Sequence, residues 1–328
     1  MAAQLKVTKA DIEQAMRRIA QSVRHTPTLE AKLAECVETS VSGSTSEDSP
    51  VILKLEYLQH SGSFKARGAF HNLLTRQVPE AGVVAASGGN HGAAVAFVAQ
   101  RLGVPAHIFV PEVSAIAKRE RIEQFGAKLA ISGKRYADAL AAATAFARET
   151  GALAIHAYDA PETLSGAGTV ALEIAQQHPD IDTVLVAVGG GGLLGGMAAY
   201  FGDGVRIVAV ETRGTAALHD AIQAGHPVDV DVSGIAADSL GARCIGNLCF
   251  PILQRYVDKS ILVSDDEVRQ AQDVLWQNFR IVLEPGGAAA FAAISSGRYQ
   301  PSQNEKVAVI LCGANTNSVH FQLRSSPD

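Results

Sequence analysis

Short apolar runs punctuate this chain. Residues 51–55, 83–87, 106–110, 128–131, 183–188, 206–211 and 306–312 are dominated by Val, Ile, Leu and Ala. Near-continuous apolar runs are what parallel strands covered on both faces require. Between them the pattern predicts helices over 91–102, closed by Gly103, and up to Phe125, ended by Gly126. Further helices are predicted over the alanine-rich 136–149, over 163–177, from Leu193 onward, and over 265–279 and 286–295. Thr8 and Asp11 predict a capped first helix running to about Val23. Ser63 is expected to cap a helix that begins with Phe64 and Lys65. Strands alternating with helices imply an α/β fold with right-handed crossovers. One strand–helix series begins near residue 83 and another near Thr163, which predicts two parallel-sheet lobes with a cleft between them. Residues 1–81 and 159–328 are assigned to a large lobe, and residues 82–158 to a small mobile one. The small, polar stretch 39–50 reads as a surface loop without chemistry.

Composition narrows the class. At 328 residues, 47% hydrophobic and only 19% charged, the chain can bury a large core, and its length fits roughly two domains. A net charge of −5 gives no electrostatic reason to expect nucleic acid or an anionic membrane as a partner. No apolar run reaches the ~18 residues of a membrane span, and no leader pattern opens the sequence. Cys36, Cys244, Cys249 and Cys312 form no metal-binding spacing. The expectation is a soluble protein of the reducing cytoplasm.

Candidate chemistry sits at the strand ends. Lys65 falls in the first turn of its helix, where the macrodipole disfavours a cation, so its pKa is expected to be lowered. An easily deprotonated lysine suits Schiff-base chemistry. Gly189, Gly190, Gly191 and Gly192, followed by Leu193, link a buried strand to a helix, and their amides can approach an anion closely. This loop is compatible with a single phosphate, with a dinucleotide whose ribose meets Glu211, or with a tight packing turn. No Lys-Ser/Thr follows, which excludes a triphosphate loop. The run Ser87, Gly88, Gly89, Asn90 and His91 is a second strand–helix junction whose amides and hydroxyl can cradle a carboxylate. Asn90 is either a donor to a ligand oxygen or a helix cap. Glu284 is either a cap or a buried carboxylate facing the site. Cys312, read alone, is a small buried apolar residue. In open α/β sheets the ligand crevice lies outside the carboxyl ends of the strands. An amine, a phosphate cradle, a carboxylate cradle and a partner for a ring nitrogen would then share one cavity. That inventory suits pyridoxal 5'-phosphate and an amino acid.

Five motifs occur in order: Gly-Ser-Phe-Lys-x-Arg-Gly-Ala at 62–69, Ser-Gly-Gly-Asn-His-Gly at 87–92, Gly-Gly-Gly-Gly-Leu at 189–193, Glu-Pro-Gly-Gly-Ala at 284–288 and Cys-Gly-Ala-Asn at 312–315. Together they resemble the fold-type II pyridoxal-phosphate enzymes, specifically the serine/threonine dehydratase and serine racemase group. The resemblance implies the tryptophan synthase β-like fold. It implies Lys65 as the Schiff-base lysine, Phe64 packing on the cofactor, Asn90 on its ring hydroxyl and residues 189–193 around its phosphate. Glu284 belongs to the same cofactor site. Cys312 takes the place facing the pyridine nitrogen, and Ser87, Gly88, Asn90 and His91 would hold the substrate carboxylate. A homodimer is also implied.

The departures from that group set the direction of chemistry. A neutral thiol at 312 cannot protonate the ring nitrogen as a carboxylic acid does, so prompt loss of a β-leaving group is favoured over a long-lived carbanion. Racemases of the group carry serine where Gly88 stands, and glycine donates no proton. Gly214-Thr215-Ala216-Ala217 lacks the second acid of their divalent-cation site beside Glu211, so no metal is expected. The expected activity is β-elimination from L-threonine or L-serine, giving a 2-oxo acid and ammonia. A racemase, or a dehydratase for 3-hydroxyaspartate or phenylserine, is the alternative. Tyr158 either shapes the substrate pocket or packs at the lobe junction.

Overall fold

The longest apolar runs of the sequence become the central strands of two sheets in a computed structural model, which describes residues 6–37, 48–114 and 116–316. The strands are β1 (Thr28–Lys32), β2 (Pro50–Lys54), β3 (Val83–Ala86), β4 (Ala106–Val110), β5 (Lys128–Ile131), β6 (Leu153–Ala154), β7 (Thr183–Ala187), β8 (Arg206–Thr212), β9 (Val257–Val263) and β10 (Val307–Ile310). Six form one sheet in the order β1-β2-β10-β7-β8-β9, and four form another in the order β5-β4-β3-β6. All neighbours are parallel except β1, which runs antiparallel to β2 at the edge. Val307 lies opposite Val51 on one side and Thr183 on the other, so β2, β10 and β7 run together and end together.

The four-stranded sheet separates its side chains by the two-residue strand period. Val83, Ala85, Ile108 and Val110 pack with Val95, Val98 and Ile122 on one face. Val84, Ala86 and Phe109 meet Ala143 and Phe146 of helix Tyr136–Thr150 on the other. The six-stranded sheet holds the larger core, with Val184, Leu185 and Val186 fully buried between the helices on its two faces.

A four-charge cluster lies inside this core. Arg67 bonds Glu56 at 2.5 Å and Glu173 at 2.7 Å, while Lys54 reaches Glu173 at 2.8 Å. None of the four side chains is more than 1% exposed. Two cations and two anions balance, which is the condition for burying charge at all. The cluster pins helix Lys65–Thr75 to the end of β2 and to helix Pro161–Gln177.

Some expectations need correction. The Thr8–Asp11 capping box is present, but the helix ends at Ile19, and Ser22 and Val23 fold back onto the Ile19 carbonyl as a turn. The 39–50 loop lies largely outside the described residues. Strands β1, β6 and β9 were not expected: β1 and β9 are edge strands whose polar residues break the apolar run, and β6 has only two residues.

Candidate active site

Lys65 reaches the cleft by a kinked route. After β2 the chain makes two short turns, with Ser61 at φ 58° and Gly62 at φ 78°. Ser63 is fully extended and pairs with Gly313, and the Phe64 amide donates to the Cys312 carbonyl at 3.2 Å. This pairing locks Ser63 into strand geometry, so the expected cap does not form and its buried hydroxyl has no hydrogen-bond partner. Phe64 stands at the cap position instead.

The Lys65 amine donates to the Ala157 carbonyl at 2.6 Å and lies 5.0 Å from the centre of the Phe64 ring. Burial lowers its pKa to about 8, partly opposed by the nearby Cys312 thiol. Burial, rather than the helix dipole invoked from the sequence, is the leading cause. The Cys312 thiol donates to the Gly286 carbonyl at 3.6 Å and is pushed up to about 12, first by burial and then by Glu284. It stays neutral at ordinary pH.

Asn90 opens helix Asn90–Leu102, but its side chain does not cap it. The amide donates to Glu284 Oε1 at 2.5 Å and accepts from Asn315 Nδ2 at 2.7 Å, and Asn315 also donates to the Ser61 carbonyl. The cap alternative therefore falls for Asn90. Glu284 likewise precedes its helix without capping it. Its second oxygen is buried with no hydrogen-bond partner, and burial raises its pKa to about 7. His91 is buried and places Nε2 2.9 Å from the Ile155 carbonyl, so that nitrogen carries the hydrogen. Burial, followed by the neighbouring Lys65 charge, depresses its pKa to about 3. Ser87 Oγ accepts from the Gly89 amide at 3.2 Å, and Gly88 lies beside Ser114 of the β4 exit loop.

The glycine loop leaves little room for side chains, least of all at Gly190 and Gly191. A Cβ at Gly190 would overlap the Tyr158 ring, one at Gly191 (φ 91°) would stand 2.6 Å from the Cys249 sulfur, and one at Gly192 3.0 Å from the Tyr158 backbone. Gly189 abuts Leu240 at 3.2 Å in the same sense, and Leu193 is buried just inside helix Gly192–Phe201. A turn sealed from behind at the start of a helix leaves its amides as an anion cradle.

These donors fit pyridoxal phosphate: a half-buried amine with a lowered pKa, an all-glycine turn suited to its phosphate, a neutral thiol and an oriented amide. Residues 19–313 match the family model described as pyridoxal-phosphate dependent enzyme. The chain belongs to that family. It is 37% identical over 270 residues to an L-threonine ammonia-lyase of Geobacter sulfurreducens, covering 80% of this chain and 67% of the relative. A biosynthetic L-threonine dehydratase of Salmonella typhimurium is 35% identical over 90% of this chain, which spans only 59% of that longer protein. Among solved structures, a maize serine racemase superposes with a TM-score of 0.86 at 31% identity, covering 95% of this chain and 94% of the other.

Within this pyridoxal-phosphate dependent enzyme, Glu211 is not available to a ribose. It is buried, and its two oxygens accept from the Leu218 and His219 amides at 2.7 and 2.8 Å. Burial raises its pKa to about 8. The dinucleotide alternative therefore loses Glu211 as its acidic partner. Tyr158 packs its ring on Gly190, with the His156 ring edge-on at 4.9 Å. Sequence reasoning gave no role to Asn315, although it ends a recognised motif, nor to the Ala157 carbonyl, which has no side-chain signature.

Proposed function

We propose that this enzyme is an ammonia-lyase for a β-hydroxy amino acid, with L-threonine or L-serine as substrate and a 2-oxo acid and ammonia as products. The observation that carries the reading is the half-buried Lys65 amine, bonded to the Ala157 carbonyl with a pKa lowered to about 8, beside a neutral Cys312 thiol. The names of the bacterial relatives, an ammonia-lyase and a dehydratase, support it. Bound pyridoxal phosphate supplies an electron sink for the electron pair left at Cα. Lys65 would hold the cofactor, and once displaced by the substrate amine it would move the Cα proton as general base. Residues 189–193 would hold the phosphate, Asn90 the ring oxygen, and Phe64 a ring face. Glu284 keeps Asn90 in place. Ser87 and the amides of Gly88 and Asn90 would hold the substrate carboxylate; the His91 ring, neutral and with its one N–H given to Ile155, has no donor left for it. Cys312, a neutral thiol, would face the ring nitrogen without supplying it a proton, which would favour elimination of the β-hydroxyl.

Residues 82–158 act in this reading as a small closing lobe. Contacts between the lobes include Asn90 with Glu284 and Asn315, and Lys118 with Asp238, and these would break on opening. A homodimer and a cytoplasmic location complete the proposal; among the described residues no helix is long and apolar enough to cross a membrane.

The test is a product assay on the cofactor-loaded protein. It should release 2-oxo acid from L-threonine or L-serine faster than it inverts L-serine. Dominant inversion would instead favour the racemase alternative, to which the maize structure points.

A further inference from the structure

Position 88 has no side chain of its own, yet the space beside it is filled. A Cβ built on Gly88 would overlap the Ser114 hydroxyl oxygen and lie 2.7 Å from the Ser114 Cβ, with Val110 behind at 3.7 Å. Ser114 comes from a different element, the loop that leaves β4, where its amide donates to the Pro111 carbonyl. β3 and β4 are parallel neighbours, so Ser87 and Ser114 emerge at the same carboxyl edge of the small sheet. Both are only partly buried. The Ser114 hydroxyl has no hydrogen-bond partner among the described residues, whereas Ser87 already accepts from Gly89.

From this arrangement we infer that Ser114 is a substrate-binding residue: its hydroxyl, reaching through the gap left by Gly88, donates to the carboxylate of the amino-acid substrate. The inference rests on the proposed role of residues 87–90 as the carboxylate cradle. A hydroxyl held against this loop, with its own donor unspent, joins that cradle without moving the backbone. It also explains why residue 88 is glycine here. A side chain at 88 and the hydroxyl of Ser114 compete for one volume, and this chain supplies the polar group from β4 instead of from β3. Supplying it from another element ties cradle completeness to the position of the 111–114 loop.

The experiment uses the cofactor-loaded enzyme and its Ser114→Ala and Ser114→Thr variants. Two quantities are read: KM and kcat for L-threonine, and by calorimetry the Kd for L-alanine, which has no β-leaving group. Loss of a hydrogen bond to a charged group should raise both KM and Kd about tenfold in Ser114→Ala, with a much smaller change in kcat. Ser114→Thr, which keeps the hydroxyl, should stay within about threefold of wild type. Gly88→Ser should weaken L-alanine binding, and Gly88→Ser with Ser114→Gly should recover it, because the two positions share one space. Unchanged KM and Kd in Ser114→Ala overturn the inference. So does a wild-type enzyme that fails to bind L-alanine. If the enzyme binds L-alanine but eliminates from neither L-threonine nor L-serine, the proposed reaction falls while the L-alanine Kd values still decide the role of Ser114.

Discussion

Asn90 donates to Glu284 at 2.5 Å, and the two residues belong to different halves of the molecule. Asn90 follows the four-stranded sheet, whereas Glu284 opens a helix packed on the six-stranded one. The bond satisfies one carboxylate oxygen and leaves the other buried without a partner.

That geometry predicts a pH dependence of stability. Burial raises the Glu284 pKa from its ordinary 4.5 to about 7 in the folded protein. The folded state therefore holds a proton that the unfolded chain has released, so the contribution of Glu284 to stability is fully present below about 4.5 and is lost as pH rises through about 7. Glu284→Gln keeps an acceptor for Asn90 and removes the titration. It should be more stable than wild type at pH 8, by at most roughly 3 kcal/mol, and nearly equal at pH 5. Urea unfolding at both pH values decides the matter, and equal gaps at the two would remove this account.

Lys65 should show its lowered pKa in the kinetics of cofactor attachment. Below about pH 8 the neutral amine falls tenfold per pH unit, and above it the amine is mostly neutral. The rate at which the cofactor-free protein takes up pyridoxal phosphate should rise steeply to about pH 8 and then level. A rate still climbing at pH 10 would mean that Lys65 titrates like a solvated lysine.

Gly190 offers a separate probe of the proposed phosphate cradle. An alanine there overlaps the Tyr158 ring, and relieving such overpacking costs about 1–3 kcal/mol. Gly190→Ala should raise the Kd for pyridoxal phosphate about tenfold or more by equilibrium dialysis. Wild-type affinity would show that Tyr158 yields freely.

The buried charges predict the largest loss. Arg67→Met leaves Glu56 and Glu173 facing only Lys54, a change that costs about 3–5 kcal/mol in comparable settings. Denaturant unfolding should register it, and adding Glu56→Gln should recover a part. A loss below about 1 kcal/mol would show that water reaches the cluster.

What the sequence made legible follows from how much each residue's surroundings depend on distant chain. β7 and β10 are apolar on both faces, so their runs announce them. β9 carries Asp258, Lys259 and Ser260 at its exposed edge and reads as loop. The glycine loop was legible because Gly191 needs a positive φ and its neighbours leave little room for a Cβ. Ser63 misled because its conformation is dictated by Gly313, hundreds of residues away in sequence. Asn90 was legible as a polar group at a strand end, but its partners Glu284 and Asn315 come from remote segments that local spacing does not relate. The lowered pKa of Lys65 was anticipated for the wrong physical reason, since burial is a property of the assembled cleft.

The four-charge cluster also bears on the order of assembly. Arg67 and Glu56 are 11 residues apart and can meet early, but Lys54 and Glu173 are separated by 119 residues. Stripping water from any one of these charges before its partners arrive is costly, so the helix carrying Lys65 takes its final seat only when helix Pro161–Gln177 docks. The lowered pKa of Lys65, which burial produces, then arises only as the core closes. Amide hydrogens of the two helices are accordingly expected to exchange as one cooperative unit. Independent opening of helix Lys65–Thr75 would separate the presentation of the lysine from the closing of the core.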